Sequence, residues 1–180
     1  ACTEMGSVTI RICFLLWPIK PIINQGNPYL ISMANQYKSR HYGQSRKQIL
    51  IVTEPISVHA KCQQGDELFF GYTEHDVLQL IFARIPIING PDDPELILIR
   101  PHPSEQCSKY GYIKDNYPHY NLEISNDSDL LDNIASSQII IGSNTMALVV
   151  AVALGKRAIS IIPKGAQPCV LPHTEIEHWQ

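Results

Sequence analysis

The stretch QIIIGSNTMALVVAVALGKRAISIIP, residues 138–163, decides the fold class. Gln138 to Ile141 and Arg157 to Ile162 are short, β-branched and almost continuously apolar, as strands buried on both faces must be. Between them Met146 to Leu154 is apolar all round, which predicts a helix covered on most sides. Gly155 suits the left-handed cap that ends such a helix. Strand, tight turn, buried helix and strand together form the crossover unit of a parallel sheet.

The same alternation runs upstream. Asn121 to Ser125 reads as a strand, and Asp127-Ser128-Asp129 has the chemistry to cap a helix through Leu130, Leu131, Ile134 and Ala135. Glu95 to Arg100 is a buried strand stopped by Pro101-His102-Pro103, and Ser104 reads as the N-cap of a short helix through Tyr110. Ile49 to Thr53 is a further strand, closed by Glu54-Pro55. Thr73, with Glu74 and Asp76 behind it, reads as the cap of a helix carrying Val77, Leu78, Leu80, Ile81 and Ile85 at helical spacing. Glu67 to Gly71 is irregular or a short edge piece. The expected architecture is α/β: a Rossmann-like parallel sheet with helices on both faces, over residues 46–165. Residues 1–45, with a strand expected at Thr9 to Trp17 and a helix at Tyr29 to Tyr37, read as a connection plus one helix. Residues 166–180 read as a tail without legible structure.

The chain has 180 residues, 44% hydrophobic and 17% charged, which places it with ordinary globular domains and away from disordered or membrane classes. A formal charge of −3 offers no broad basic field for nucleic acid. The one basic stretch, Lys38 to Lys47 with Arg40, His41 and Arg46, reads as a solvated linker. Five cysteines lack paired or metal-ligand spacing and read as reduced thiols of a cytoplasmic protein. No apolar run reaches the roughly 20 residues a membrane span needs; Val8 to Trp17 is interrupted by Arg11. No metal is expected, since no paired carboxylates suit Mg²⁺.

Chemistry is expected at the carboxyl ends of the strands, where open parallel sheets hold their ligands. Gly142-Ser143-Asn144-Thr145 precedes a helix N-terminus, whose free N–H groups and partial positive charge suit a phosphate, or merely a capping turn. Two prolines fix the backbone around His102, a near-neutral donor for a phosphate or sugar hydroxyl, and Arg100 beside it is a permanent cation. Glu105 could accept from ribose hydroxyls or only favour a helix start. Glu54, beside Thr53 and Ser57, reads as a solvated acid or a ligand contact at the same edge.

Three segments, ILIVTEP (49–55), LILIRPHPSE (96–105) and SDLLDNIASSQIIIGSNTMALVVAVALGKRAISIIP (128–163), together resemble the C-terminal half of GT-B-fold glycosyltransferases of surface polysaccharide synthesis. The likeness runs over roughly residues 24–165. It includes the short His-Pro and Ser motifs of bacterial sialyltransferases and polyglycerol-phosphate transferases. Gly26-Asn27-Pro28 is similar to the turn by which such chains leave their N-terminal domain.

The resemblance implies a nucleotide-sugar donor, CMP-, CDP- or UDP-linked, with no further cofactor. Its phosphate would meet His102, as the catalytic residue, and Ser143 with Thr145. It also implies a separate N-terminal domain, absent from this sequence, that supplies the acceptor site and general base, and peripheral membrane association of the intact enzyme. The sequence starts at Ala1 without a Met, as a cut chain would. Two other readings stay open: half of a UDP-N-acetylglucosamine epimerase, and a non-catalytic nucleotide-binding or assembly domain.

Overall fold

The computed structural model describes residues 27–40, 47–90, 93–125 and 129–180. The strand expected at Thr9 to Trp17, the centre of the basic stretch, Gly26, and Asp127-Ser128 lie outside the described residues.

In chain order the elements are α1 (Pro28–Arg40), β1 (Gln48–Val52), α2 (Ile56–Gln64), α3 (Glu74–Asn89) and β2 (Leu96–Arg100). A 3₁₀ turn (Cys107–Tyr110), α4 (Tyr112–Asn116), β3 (Leu122–Ile124), α5 (Leu130–Ser136), β4 (Ile139–Gly142), α6 (Met146–Ala153), β5 (Arg157–Ile161) and β6 (Ile176–Trp179) follow. The six strands form one sheet in the order β3-β2-β1-β4-β5-β6. Every neighbouring pair is parallel, with Ile51 of β1 in register with Ile99 on one side and Ile141 on the other. The Rossmann-like α/β fold read from the sequence is therefore the fold observed.

The strands are continuously apolar because both faces are covered. Successive side chains point to opposite faces, so Ile49, Ile51, Ile97 and Ile99 pack under Val77, Leu78, Ile81 and Ile85 of α3. Leu50, Leu98, Ile140 and Ala158 pack under Ala34 and Tyr37 of α1, Ile134 of α5, and Leu148 and Ala151 of α6. Each such burial of an Ile or Leu contributes about 1.5–3 kcal/mol relative to exposure. The caps agree with the sequence at two places: Thr73 and Asp76 form a reciprocal capping box on α3, and Asp129 accepts from Leu131 N at the start of α5.

Two local readings are corrected, at Ser104 and in the tail, and one helix, α2, had no reading. Ser104 caps no helix: the turn starts later, at Cys107, with Gln106 in the cap position, because the Ser104 hydroxyl is held by His102. The stretch after Pro55 contains α2, a helix with only Ile56 and Ala60 buried and no side-chain cap, hence no legible apolar stripe. The stretch read as a tail holds β6, so the sheet continues past residue 165. As an edge strand of mixed polarity, IEHW carries no buried-strand signature, and Arg157 pins it through Glu177 at 2.6 Å. Among the described residues no helix is long and apolar enough to cross a membrane.

Candidate functional site

The chain runs outward from β1 through β2 to β3, then returns to the other side of β1 with β4. The gap outside the carboxyl ends of β1 and β4 is thus the point where strand order reverses, the place where this fold opens a ligand crevice. Glu54 leaves β1 there and Asn144 leaves β4. Glu54 Oε1 accepts from Asn144 N at 2.7 Å. Burial pushes the Glu54 carboxyl above its ordinary value, against the N–H groups of Asn144 and Ser143 and nearby His59. Glu54 is half-buried, not the solvated acid that was one of its two expected roles.

The Gly142 to Thr145 turn is tight. A Cβ on Gly142 would stand 2.7 Å from Thr145 Cγ2 and 3.3 Å from Val52 O, so the glycine is required by the packing of β1 against α6. Ser143 is buried, and its carbonyl accepts from Ser160 Oγ at 2.5 Å. Thr145 is the N-cap of α6, accepting from Ala147 N. Asn144 Oδ1 accepts from Val170 N at 3.2 Å and from the Cys169 thiol. The protein's own Glu54 carboxylate therefore stands at the N–H where an incoming phosphate was expected.

His102 sits at the end of β2, next to β1. Its ring Nδ1 accepts from Ser104 N at 3.2 Å and lies 2.7 Å from Ser104 Oγ. An Nδ1 that accepts an amide N–H leaves the neutral ring as the Nε2–H tautomer, a donor. Its ring meets that of His59, on α2, edge to face at 6.4 Å. The His102 backbone is anchored below: its N–H donates to Thr53 Oγ1 at 3.2 Å and to Glu105 Oε2 at 3.3 Å.

The Glu105 side chain is only 2% exposed and is fully engaged inside the protein. It accepts from Thr53 Oγ1 at 2.9 Å, from Tyr110 OH at 2.8 Å and from Lys109 Nζ at 2.7 Å. It braces the His102 loop and does not project from it. Lys109 also donates to Glu74, whose other partners are Ser57 N and Ser57 Oγ at the start of α2. Burial pushes the Glu74 carboxyl up, but the Lys109 ammonium and the Ser57 donors outweigh it and hold it at about 2. This buried Glu74–Lys109–Glu105 chain fixes α2, α3 and the His102 loop to one another. Arg100 does something else: it ends β2 on the face shared with Leu98 and donates to Asn133 on α5 at 2.9 Å.

Between the Glu54–Asn144 bridge and the loops above it lies a cavity of about 210 Å³. Its walls include His59 and Gln63 of α2, Phe70 and Tyr72 ahead of α3, and Gln167 after β5. Burial and the Glu54 charge together raise the Tyr72 hydroxyl. The sequence did not reveal these wall residues, because they sit on α2, on the irregular stretch after it and in the loop after β5.

The described residues form a Rossmann-type α/β fold, a six-stranded parallel sheet covered by helices. The chain is similar to the solved β-Kdo 2,4-transferase KpsC of Thermosulfurimonas dismutans: 13% identity, 86% of this chain, 50% of that one, TM-score 0.50. It is also similar to the β-Kdo 2,7-transferase KpsC of the same organism, at 13% identity, 86% and 47% coverage and TM-score 0.48. A third match is POFUT1 in complex with GDP, at 8% identity, 71% and 43% coverage and TM-score 0.37. The chain spans about half the length of these structures. The likeness to the first is one of fold. No family model and no curated protein matches the sequence.

Proposed function

We propose that this chain is the nucleotide-sugar-binding half of a glycosyltransferase of capsule or other surface carbohydrate synthesis. One observation carries this: Glu54, the His102 loop and the Gly142 to Thr145 turn converge on the strand-order reversal of a Rossmann sheet, beside a cavity. The donor's phosphate lies between the His102 Nε2–H and the start of α6, and takes the Asn144 N–H when Glu54 yields it. His102 stabilises the charge that develops on the leaving nucleotide, an interaction strongest in the transition state. The acceptor and the general base belong to a second domain, and the complete transfer needs both.

The test is titration of CMP, CDP and UDP by calorimetry, with the His102 ring proton shifts followed by NMR. Saturable binding of one nucleotide, weakened at least tenfold in His102→Ala, is expected. Failure of all three to bind would leave an assembly domain as the better reading.

A further inference from the structure

The turn ahead of α6 already holds an anion, and it is the protein's own. Glu54 Oε1 accepts from Asn144 N at 2.7 Å. One N–H cannot serve a carboxylate and a phosphate together, and two like charges at that spot repel. A phosphate that takes the Asn144 N–H therefore has to move Glu54, and a half-buried carboxylate that moves needs another donor.

His59 stands where that donor is needed. Its N–H donates to Pro55 O at 2.9 Å, which sets it one turn into α2, the helix that begins just after Glu54-Pro55. Glu54, His59 and Asn144 line the same cavity of about 210 Å³. Among the described residues of that lining, His59 is the one that can carry a positive charge, and even its neutral ring keeps one N–H donor. Burial, the largest influence on the Glu54 carboxyl, opposes its charge; the N–H groups of Asn144 and Ser143 and the nearby His59 favour it. Lys61, further along α2, is turned to Glu67 at 2.7 Å. The His59 ring also meets the His102 ring edge to face at 6.4 Å, so it adjoins both halves of the rim, the loop after β2 and the ends of β1 and β4.

We infer that His59 is a positioning residue that receives Glu54 when a phosphate displaces it from Asn144, so that the empty site is closed by its own acid and opened by an exchange of partners. The inference rests on the nucleotide reading above and deepens it: His59 acts through Glu54 and not on the ligand.

The experiment is a double-mutant cycle read by calorimetry with whichever of CMP, CDP and UDP binds. Glu54→Ala should bind it roughly tenfold more tightly, the worth of one hydrogen bond to a charged group. His59→Ala should bind it about fivefold more weakly while Glu54 is present, and that loss should vanish in the Glu54→Ala background. Should Glu54→Ala fail to fold, Glu54→Gln, which keeps an acceptor for Asn144 N and drops the charge, carries the same cycle with a smaller gain. If removing the Glu54 charge leaves binding unchanged or weakens it, the carboxylate is no competitor of the phosphate. If His59→Ala costs the same in both backgrounds, His59 contacts the ligand or only supports the fold. Either result overturns the exchange and leaves the nucleotide reading standing. If no nucleotide binds wild type or any variant, both fall together.

Discussion

Glu54 Oε1 lies 2.7 Å from the backbone nitrogen of Asn144, a bond that spans 90 positions of sequence and joins the ends of β1 and β4. It places an acid at the strand-order reversal of the sheet. A sensitivity of stability to pH follows for Glu54.

Because burial raises the Glu54 carboxyl, the folded state holds its proton more tightly than the unfolded chain does. The contribution to stability is present below the ordinary carboxyl value of 4.5 and is lost as pH rises through the folded value. Glu54→Gln keeps an acceptor for Asn144 N and removes the charge. Urea unfolding should show the variant gaining on wild type as pH rises from about 4.5, the ordinary carboxyl value, toward neutrality. An offset that stays flat over that range would mean that the carboxylate is fully solvated.

Glu74 has the opposite sign. Its carboxyl is held at about 2, so its contribution is present above 4.5 and is lost as pH falls toward 2. That interval corresponds to roughly 3 kcal/mol at most. Lys109→Ala leaves Glu74 and Glu105 buried without their shared cation, and should cost about 3 kcal/mol at neutral pH, with less cost in acid. Chemical denaturation at pH 7 and pH 3 measures both; equal losses at the two values would sink the linkage.

Thr53→Val is nearly isosteric and removes the hydroxyl that accepts from His102 N and donates to Glu105. The expected loss is about 1–2 kcal/mol of stability, from donors left poorly satisfied. Faster hydrogen exchange at the His102 amide than at Ile99, in the middle of β2, would localise the effect to the loop. Uniform acceleration along β2 would contradict it.

Gly142→Ala puts a methyl 2.7 Å from Thr145 Cγ2, a stiff β-branched group that also caps α6, and 3.3 Å from Val52 O. The strain should cost about 1–3 kcal/mol. A paired Thr145→Ser, which deletes Cγ2 but keeps the capping oxygen, should recover most of it. Thermal melts of the single and double variants decide, and no recovery would place the strain at Val52.

The sheet was legible because burial on both faces removes ambiguity: ILIVT, LILIR, QIII and RAISII could be little else than central strands. Elements with weak burial were not. α2 buries only Ile56 and Ala60, and β6 is an edge strand whose stability comes from pairing with β5 and from Arg157–Glu177, neither of which leaves a local pattern. At the site, positions along the chain were readable, since strand ends follow from strands. Partners were not. That Arg100 turns to Asn133, that Glu105 is sealed under the His102 loop, and that His59 and Tyr72 face Glu54 depend on which helix crosses which strand end. Ser143, expected to meet a ligand through its hydroxyl, is buried at 3% exposure, and the crevice offers Asn144 in its place.

β1 lies between β2 and β4, and the two residues just past its end carry bonds to both sides: Thr53 to the His102 loop, Glu54 to Asn144. A chain that has docked β1 only to β2 therefore owns half a rim and no crevice. Ligand can reward only the molecule whose later crossover has also arrived, so binding should raise the barrier to losing β4 and leave the fraying of β3 and β6 untouched.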